Sequence, residues 1–538
     1  MRLIPFLAPL MLAVFSSTAW SQTAPANLAP PASCESLKAA TVPDVRVTEA
    51  VLVTPAPQGG PRVPHCRVTG VIGKEIKFLA LLPTGWNGRF LMGGGGGFVG
   101  TVNAPTGDEL TAGYATAGTD TGHEGSAIQA GWALGNEERR INYGYLAVHR
   151  TAETVKALIR AYYGRSAEKS YFLGCSNGGR QAMMEAQRYP DDFDGIVAGA
   201  PAFNFTEVAT SFIKNMKAAF PDPAKLAQPS VSPAALKMIE TKVLAACDAK
   251  DGVADGVLDD PRACDFKLAA ILPCPNDQPG DGCLTKAERA AVEMIYRPIA
   301  DRDGLIYPGQ PFGSEGEGGG WPAWITGSGT LMPASGSAKA PSAQWAFGTE
   351  FFKYLVFGDS TWNYLRYDLS RARTDLAGAG QYLNAVNLDL DRFTARGGKL
   401  ILWHGWSDPA LNALATIRYY QQAIAGQPKA AGHLRLFLLP GVLHCAGGAG
   451  PDRADWPTAI ADWVEHGKAP ARIVASKMSA DRKPIRTRPL CPYPEVAVWK
   501  GKGGTDDEAS FACRSRGDRV TGTPPPIRPE PPGEWPRS

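Results

Sequence analysis

Three residue types suited to acyl transfer stand at the ends of apolar, strand-like runs. Ser176 lies in Gly174-Cys175-Ser176-Asn177-Gly178-Gly179, which has G-x-S-x-G spacing. Small residues around a serine permit a turn tight enough to expose its hydroxyl. Tyr171-Phe172-Leu173 before it reads as strand, and Arg180 to Ala186 after it as helix, because that run consists of good helix formers. Asp408 follows the strand-like Lys399–His404 in the turn Gly405-Trp406-Ser407-Asp408-Pro409, and His444 follows Leu434–Leu439. A histidine brought beside the serine takes its proton, and an aspartate beside the histidine holds the imidazole tautomer and stabilises the imidazolium. The negative oxygen that forms on the substrate needs backbone donors. Asn177 supplies one, and the run Gly93 to Gly97 after the strand Arg89–Met92 supplies another, with the register within that run left open. The remaining histidines lack such pairing: His123 reads as a loop residue bonding a carbonyl, and His404 as packed on its strand.

The flanking cysteines strengthen this constellation. Residues 1–21 read as a signal peptide, with Arg2 as the early charge, a short apolar core from Leu3 to Phe15, and small residues at Ala19 and Ser21. An exported chain meets an oxidising compartment, where the ten cysteines pair. Proximity in sequence suggests Cys34–Cys66, Cys247–Cys264, Cys274–Cys283 and Cys491–Cys513, which leaves Cys175 and Cys445. These two adjoin Ser176 and His444, so a site that joins serine and histidine also brings the thiols within bonding reach. Spacing alone does not fix connectivity, and free or differently paired thiols are the alternative.

The elements that must position these residues alternate strand and helix. Strands are expected in 46–85, at Arg89–Met92, Tyr114–Asp120, Tyr171–Leu173 and Gly195–Ala200, with a core helix over 143–163. The alternation resumes after 385, with helices at Ala413–Ile424 and 457–467. An α/β sheet with crossover helices is the natural class, and the chain order Ser, Asp, His is that of the α/β-hydrolase fold. We therefore expect a hydrolase domain in two parts, 22–204 and 386–521, interrupted by a lid over 205–385 and followed by a disordered Pro-rich tail over 522–538. The lid segment holds Gly, Pro and Ser stretches, four cysteines and a group of aromatics that includes Trp321, Trp324, Trp345, Phe347, Phe351 and Phe352. Local disulfides are expected to staple it because its own core looks loose. With 55 basic and 52 acidic residues spread along the chain, a nucleic-acid surface is not expected. No apolar run is long enough to cross a bilayer, so no membrane partner is expected. The sequence sets no oligomeric state.

A second cluster lies in the lid: Asp248, Asp251 and Asp255 within Cys247-Asp248-Ala249-Lys250-Asp251-Gly252-Val253-Ala254-Asp255-Gly256-Val257. Carboxylates at these spacings, with the carbonyls of Val253 and Val257, offer oxygen ligands to a hard cation, calcium first. The alternative is a solvated acidic turn.

Together G-C-S-N-G-G, S-D-P, L-H-C and C-D-x-x-D-G-V-x-D-G-V resemble the tannase and feruloyl esterase family over nearly all of the mature chain. The resemblance implies Ser176, Asp408 and His444 as triad and Cys175–Cys445 as a disulfide beside it. It also implies Asp248, Asp251, Val253, Asp255 and Val257 as structural calcium ligands in the lid, and an oxyanion glycine within 93–97, leaning to Gly95 or Gly96. The implied substrates are small esters of aromatic acids such as ferulate or gallate. The family also includes hydrolases of mono(hydroxyethyl) terephthalate, whose carboxylate would call for a cation; Arg366, Arg371 and Arg373 are lid candidates. A reading of another class is a catalytically silent ester- or glycan-binding protein.

Overall fold

The computed structural model describes residues 32–55, 62–330, 332–333 and 339–515. The expected signal peptide at 1–21 and tail at 522–538 lie outside the described residues, as does most of the leader between them and the first element.

Nine strands form one mixed sheet: β1 (Val45–Val53), β2 (His65–Ile72), β3 (Ile76–Pro83), β4 (Arg89–Gly93), β5 (Ala115–Thr119), β6 (Lys169–Cys175), β7 (Gly195–Gly199), β8 (Lys399–Gly405) and β9 (Leu434–Leu439). Their order across the sheet is β1-β2-β3-β5-β4-β6-β7-β8-β9. The first three and β5 pair antiparallel. From β5 onward every pair is parallel. Parallel strands need crossover helices, which cover both faces and leave the strands apolar on each side. Residues of alternate parity separate accordingly. Phe90, Met92, Phe172, Ile196, Leu400 and Leu402 face α1 (Ala147–Tyr163), α2 (Asn177–Arg188) and, further along the chain, the helix at Ala413–Gly426. Leu91, Tyr171, Val197, Ile401, Trp403 and Phe437 face the helix at Trp456–His466 through Ile460 and Trp463. This is the α/β-hydrolase architecture expected from the sequence.

The inserted segment carries α3 (Phe205–Ala219), α4 (Pro233–Cys247), α5 (Lys286–Tyr296) and α6 (Ala343–Glu350). Its sequence predicts a loose core, yet two buried clusters run through it. One joins Leu236, Ile239, Val243, Val292, Ile295 and Trp321. The other joins Phe205, Phe212, Phe351, Phe352 and Tyr367 to Phe98, Val99, Tyr143 and Leu411 of the hydrolase part. The lid therefore shares its apolar interior with the loops beneath it. Two C-terminal antiparallel pairs, Ile473–Met478 with Pro484–Leu490 and Glu495–Trp499 with Phe511–Ser515, were not singled out in the sequence. Among the described residues no helix is long and apolar enough to cross a membrane.

Candidate active site

Ser176 stands between the end of β6 and the start of α2, at φ 63° and ψ −124°. A residue with a side chain holds such a conformation only when its surroundings over-determine it. Here Ser176 N–H donates to Gly199 O at 3.0 Å, and Ala202 N–H donates to Ser176 O at 3.1 Å. A Cβ on Gly174 would lie 2.4 Å from Gly178 O, and one on Gly179 would lie 2.4 Å from Gly199 O. These two glycines are thus required by close backbone approach, which is how the stretch from Gly174 to Gly179 builds the turn.

The strand ends bring together the three residues that sequence spacing pointed to. Ser176 Oγ is 2.8 Å from His444 Nε2, and His444 Nδ1 is 2.9 Å from Asp408 Oδ2. The acceptor-only carboxylate fixes the proton on Nδ1, leaving the Nε2 lone pair to accept from the serine hydroxyl. Asp408 is fully buried, and its Oδ1 accepts the N–H groups of Ala410 and Leu411 at 2.8 and 2.9 Å. Burial alone would push its carboxyl up, but the adjacent His444 and His404 rings more than reverse this and hold it well below the usual carboxylate range. His404 does more than pack on its strand. Its Nε2 lies 3.3 Å from Asp408 Oδ2 and 3.2 Å from Leu411 O, while Nδ1 lies 2.8 Å from Thr416 Oγ1. Its position four residues before Asp408, across a strand-to-turn junction, is the only sequence signal for that contact.

The glycine run is pinned from α2. Gly94 N–H donates to Leu173 O, and Gly95 N–H donates to Gln181 Oε1 at 2.9 Å. Asn177 Nδ2 donates to Gly95 O at 3.0 Å, and Asn177 Oδ1 accepts from Tyr143 Oη at 3.0 Å and Arg180 Nε at 2.8 Å. Of the two glycines expected as donors, Gly95 therefore has its amide committed. Among the described residues the Gly96 N–H meets no acceptor. The Gly95–Gly96 peptide is held by its carbonyl, so the N–H on its opposite edge has a fixed direction. Asn177 is the first residue of α2, where backbone N–H groups have no carbonyl one turn back. Arg180 is completely buried and is satisfied by Asn177 and by the carbonyls of Tyr143, Gly144 and Leu383. Arg180 and Gln181 gave no sequence signal, since both look like ordinary helix formers.

All five expected disulfides are present. Cys175–Cys445 closes a sequence separation of 270 residues and joins the elbow to the histidine loop. From the lid, the Trp324 ring meets the His444 ring edge-on at 4.8 Å, and Phe347 stacks on Trp324 at 6.0 Å and reaches Phe98 at 5.6 Å. The half-buried Trp324 and Phe347 rings form an aromatic wall beside His444. The three lid arginines are placed differently. Arg373 pairs with Asp301 at 2.6 Å, Arg371 pairs with Asp375 at 3.1 Å, and Arg366 is exposed on a short turn.

In the acidic loop, Asp248 accepts the N–H groups of Asp255 and Gly256, Asp251 accepts that of Val253, and Asp255 accepts that of Val257. Asp255 also pairs with Arg488 and Arg486. The donor set is all oxygen and the loop is closed by Cys247–Cys264, which fits a hard cation in type. Among the described residues, the group with three ligand-type atoms within 4.8 Å of one another is elsewhere, at His149, Glu185 and Asp192. There the Lys156 ammonium lies 3.9 Å from Asp192 Oδ1 and already supplies a cation.

A family model described as tannase and feruloyl esterase matches residues 62–514. The mono(2-hydroxyethyl) terephthalate hydrolase of Piscinibacter sakaiensis is 34% identical, over 90% of this chain and 92% of that protein. A probable feruloyl esterase B-1 of Aspergillus terreus is 30% identical, over 83% and 86% respectively. The crystal structure of feruloyl esterase B from Aspergillus oryzae superposes with a TM-score of 0.78 at 27% identity, covering 89% of this chain and 99% of that one.

Proposed function

This chain belongs to the tannase and feruloyl esterase family and is an ester hydrolase, and from its site we infer that it is an exported serine esterase acting on small esters of aromatic acids. The observation that carries the reading is the continuous chain Ser176 Oγ, His444 Nε2, His444 Nδ1, Asp408 Oδ2, with distances of 2.8 and 2.9 Å. Ser176 Oγ attacks the ester carbonyl as its proton passes to His444 Nε2. The carbonyl oxygen becomes an oxyanion held by the N–H groups of Asn177 and Gly96. Collapse breaks the bond to the alcohol, which leaves with the proton from His444, and an acyl-serine remains. Water then attacks the acyl carbon while giving its proton to His444, and a second collapse releases the acid and returns the proton to Ser176. Throughout, Asp408 stays ionised and stabilises the imidazolium.

The Trp324 and Phe347 rings beside His444 support an aromatic acyl group, since flat apolar faces bury a ring without demanding charge. Feruloyl or galloyl esters fit first. A terephthalate monoester is the second reading, favoured by the name of the Piscinibacter relative. Against it, Arg371 and Arg373 are engaged in ion pairs rather than offered to a substrate carboxylate. Calcium would be held in the lid by Asp248, Asp251 and Asp255 with the carbonyls of Val253 and Val257. Its role there would be to brace the loop. Five disulfides and the expected leader at 1–21 support export.

The test is hydrolysis of methyl ferulate, methyl gallate and mono(2-hydroxyethyl) terephthalate in parallel by wild type and Ser176→Ala. Turnover by wild type and none by the folded variant is expected. Turnover by Ser176→Ala near the wild-type rate would remove the serine mechanism.

A further inference from the structure

We propose that the lid positions the triad acid: Gln344 and Gln310, reaching down from the lid, hold the Pro409 carbonyl and thereby aim the Ala410 N–H at the Asp408 carboxylate. This rests on the reading of Asp408 as the triad acid. Gln344 Nε2 donates to Pro409 O at 2.9 Å, and Gln310 Nε2 donates to the same oxygen at 3.0 Å. The Pro409–Ala410 peptide is trans, so its N–H lies on the edge opposite its carbonyl. That N–H donates to Asp408 Oδ1 at 2.8 Å. One peptide group is thus gripped by the lid on one edge and grips the acid on the other. Hydrogen bonds in series polarise one another, so each donor on the carbonyl strengthens the N–H that serves the carboxylate.

The grip is itself built. Gln344 is 1% exposed, and its Oε1 accepts from Asn215 Nδ2 at 2.9 Å, which fixes the amide orientation so that Nε2 faces Pro409. Asn412, three residues further along the acid loop, is tied to the same part of the lid: its N–H donates to Tyr307 Oη at 2.9 Å and its Nδ2 to Gly309 O at 2.6 Å. Gln344 lies on α6, the helix that also presents Phe347 to the aromatic wall. The element that meets an aromatic acyl group therefore also sets the orientation of Asp408. Gln344 and Gln310 are positioning residues, acting through Asp408 and not on the substrate.

A double-mutant cycle tests this with a p-nitrophenyl acyl ester, whose activated leaving group keeps slow variants measurable. Gln344→Met removes the donor at nearly constant volume. It is expected to lower kcat about tenfold with KM within twofold of wild type, and Gln310→Met a smaller amount in the same sense. In the Asp408→Asn background the same glutamine changes are expected to have little further effect, because the amide keeps an oxygen for the Ala410 N–H but offers His444 no carboxylate to aim. An equal fractional loss of kcat in both backgrounds would overturn the proposal and mark the glutamines as merely structural. If Gln344→Met fails to fold, Gln310→Met, on a half-buried loop, carries the same cycle. Should Asp408→Asn by itself retain wild-type kcat, the triad reading falls first, and that outcome is distinct from the additive one.

Discussion

Removing the Cys175–Cys445 bond should damage catalysis out of proportion to its stability cost. The bond closes a loop of 270 residues. In the chain-entropy treatment such a loop corresponds to about 5.6 kcal/mol at 25 °C, and measured values generally fall below this, so a loss of about 3–5 kcal/mol is expected. For roughly 500 folded residues the unfolding entropy is about 1 kcal/mol per kelvin, which makes the Tm shift only about 3–5 °C. The catalytic effect has another origin. Cys445 sits at φ 64° immediately after His444, and the bond ties that strained residue to the neighbour of Ser176. A misplacement of the imidazole by about 1 Å is worth about a hundredfold in rate. Cys175→Ala/Cys445→Ala keeps a Cβ at both positions, so the backbone cost at 445 is unchanged and only the link is lost. We expect kcat to fall at least tenfold at 25 °C, where the variant remains folded. Cys274→Ala/Cys283→Ala is the control: it opens a separation of 9 residues in the lid, worth about 2.6 kcal/mol in the same treatment. Its kcat should stay at the wild-type value. Wild-type kcat in the first variant, or equal losses of kcat in both, would refute the idea that the bond aligns His444 with Ser176.

Three further outcomes follow from other parts of the molecule. Phe347→Ala should raise KM for methyl ferulate about tenfold while leaving KM for an acetyl ester nearly unchanged; an equal rise for both would take the aromatic wall out of acyl recognition. Lys214 is buried, with its ammonium on the carbonyls of Ile295 and Arg297; burial, and then the Arg297 guanidinium, bring its pKa down to about 7. The unfolded chain, with an ordinary lysine near 10.4, binds more protons between pH 7 and 10, so stability rises with pH across that window, by about 4 kcal/mol for this group. Denaturant titrations of Lys214→Met should show that rise flattened, and an unaltered slope would contradict it. Chelation with EGTA should lower Tm by several degrees, with recovery on adding calcium, and Asp251→Asn should abolish the response; a Tm indifferent to chelator would argue against a cation in the 248–257 loop.

The sequence by itself determined the candidate residue types and the strand ends that carry them. A serine between glycines, an aspartate in S-D-P and a histidine in L-H-C are each local patterns with local causes: a turn that admits no Cβ at Gly174 or Gly179, and apolar runs of strand length ending at Cys175, Gly405 and Leu439. Only the tertiary structure decided which amides of the glycine run already have an acceptor. Five successive glycines are indistinguishable in sequence, and Gly95 is singled out only because Gln181, 86 residues later, takes its N–H. The lid is similar. Trp324 and Phe347 were legible as aromatics, but their place beside His444 depends on a cluster that joins segments far apart in the chain. Gln344 and Arg180 were invisible for the same reason: a polar side chain declares its role by its partner, and partners that meet through folding leave no spacing to read. Periodicity records what neighbouring residues share, whereas a site assembled from β6, β8, β9 and the lid is fixed by how the sheet orders its strands and by what packs over their ends.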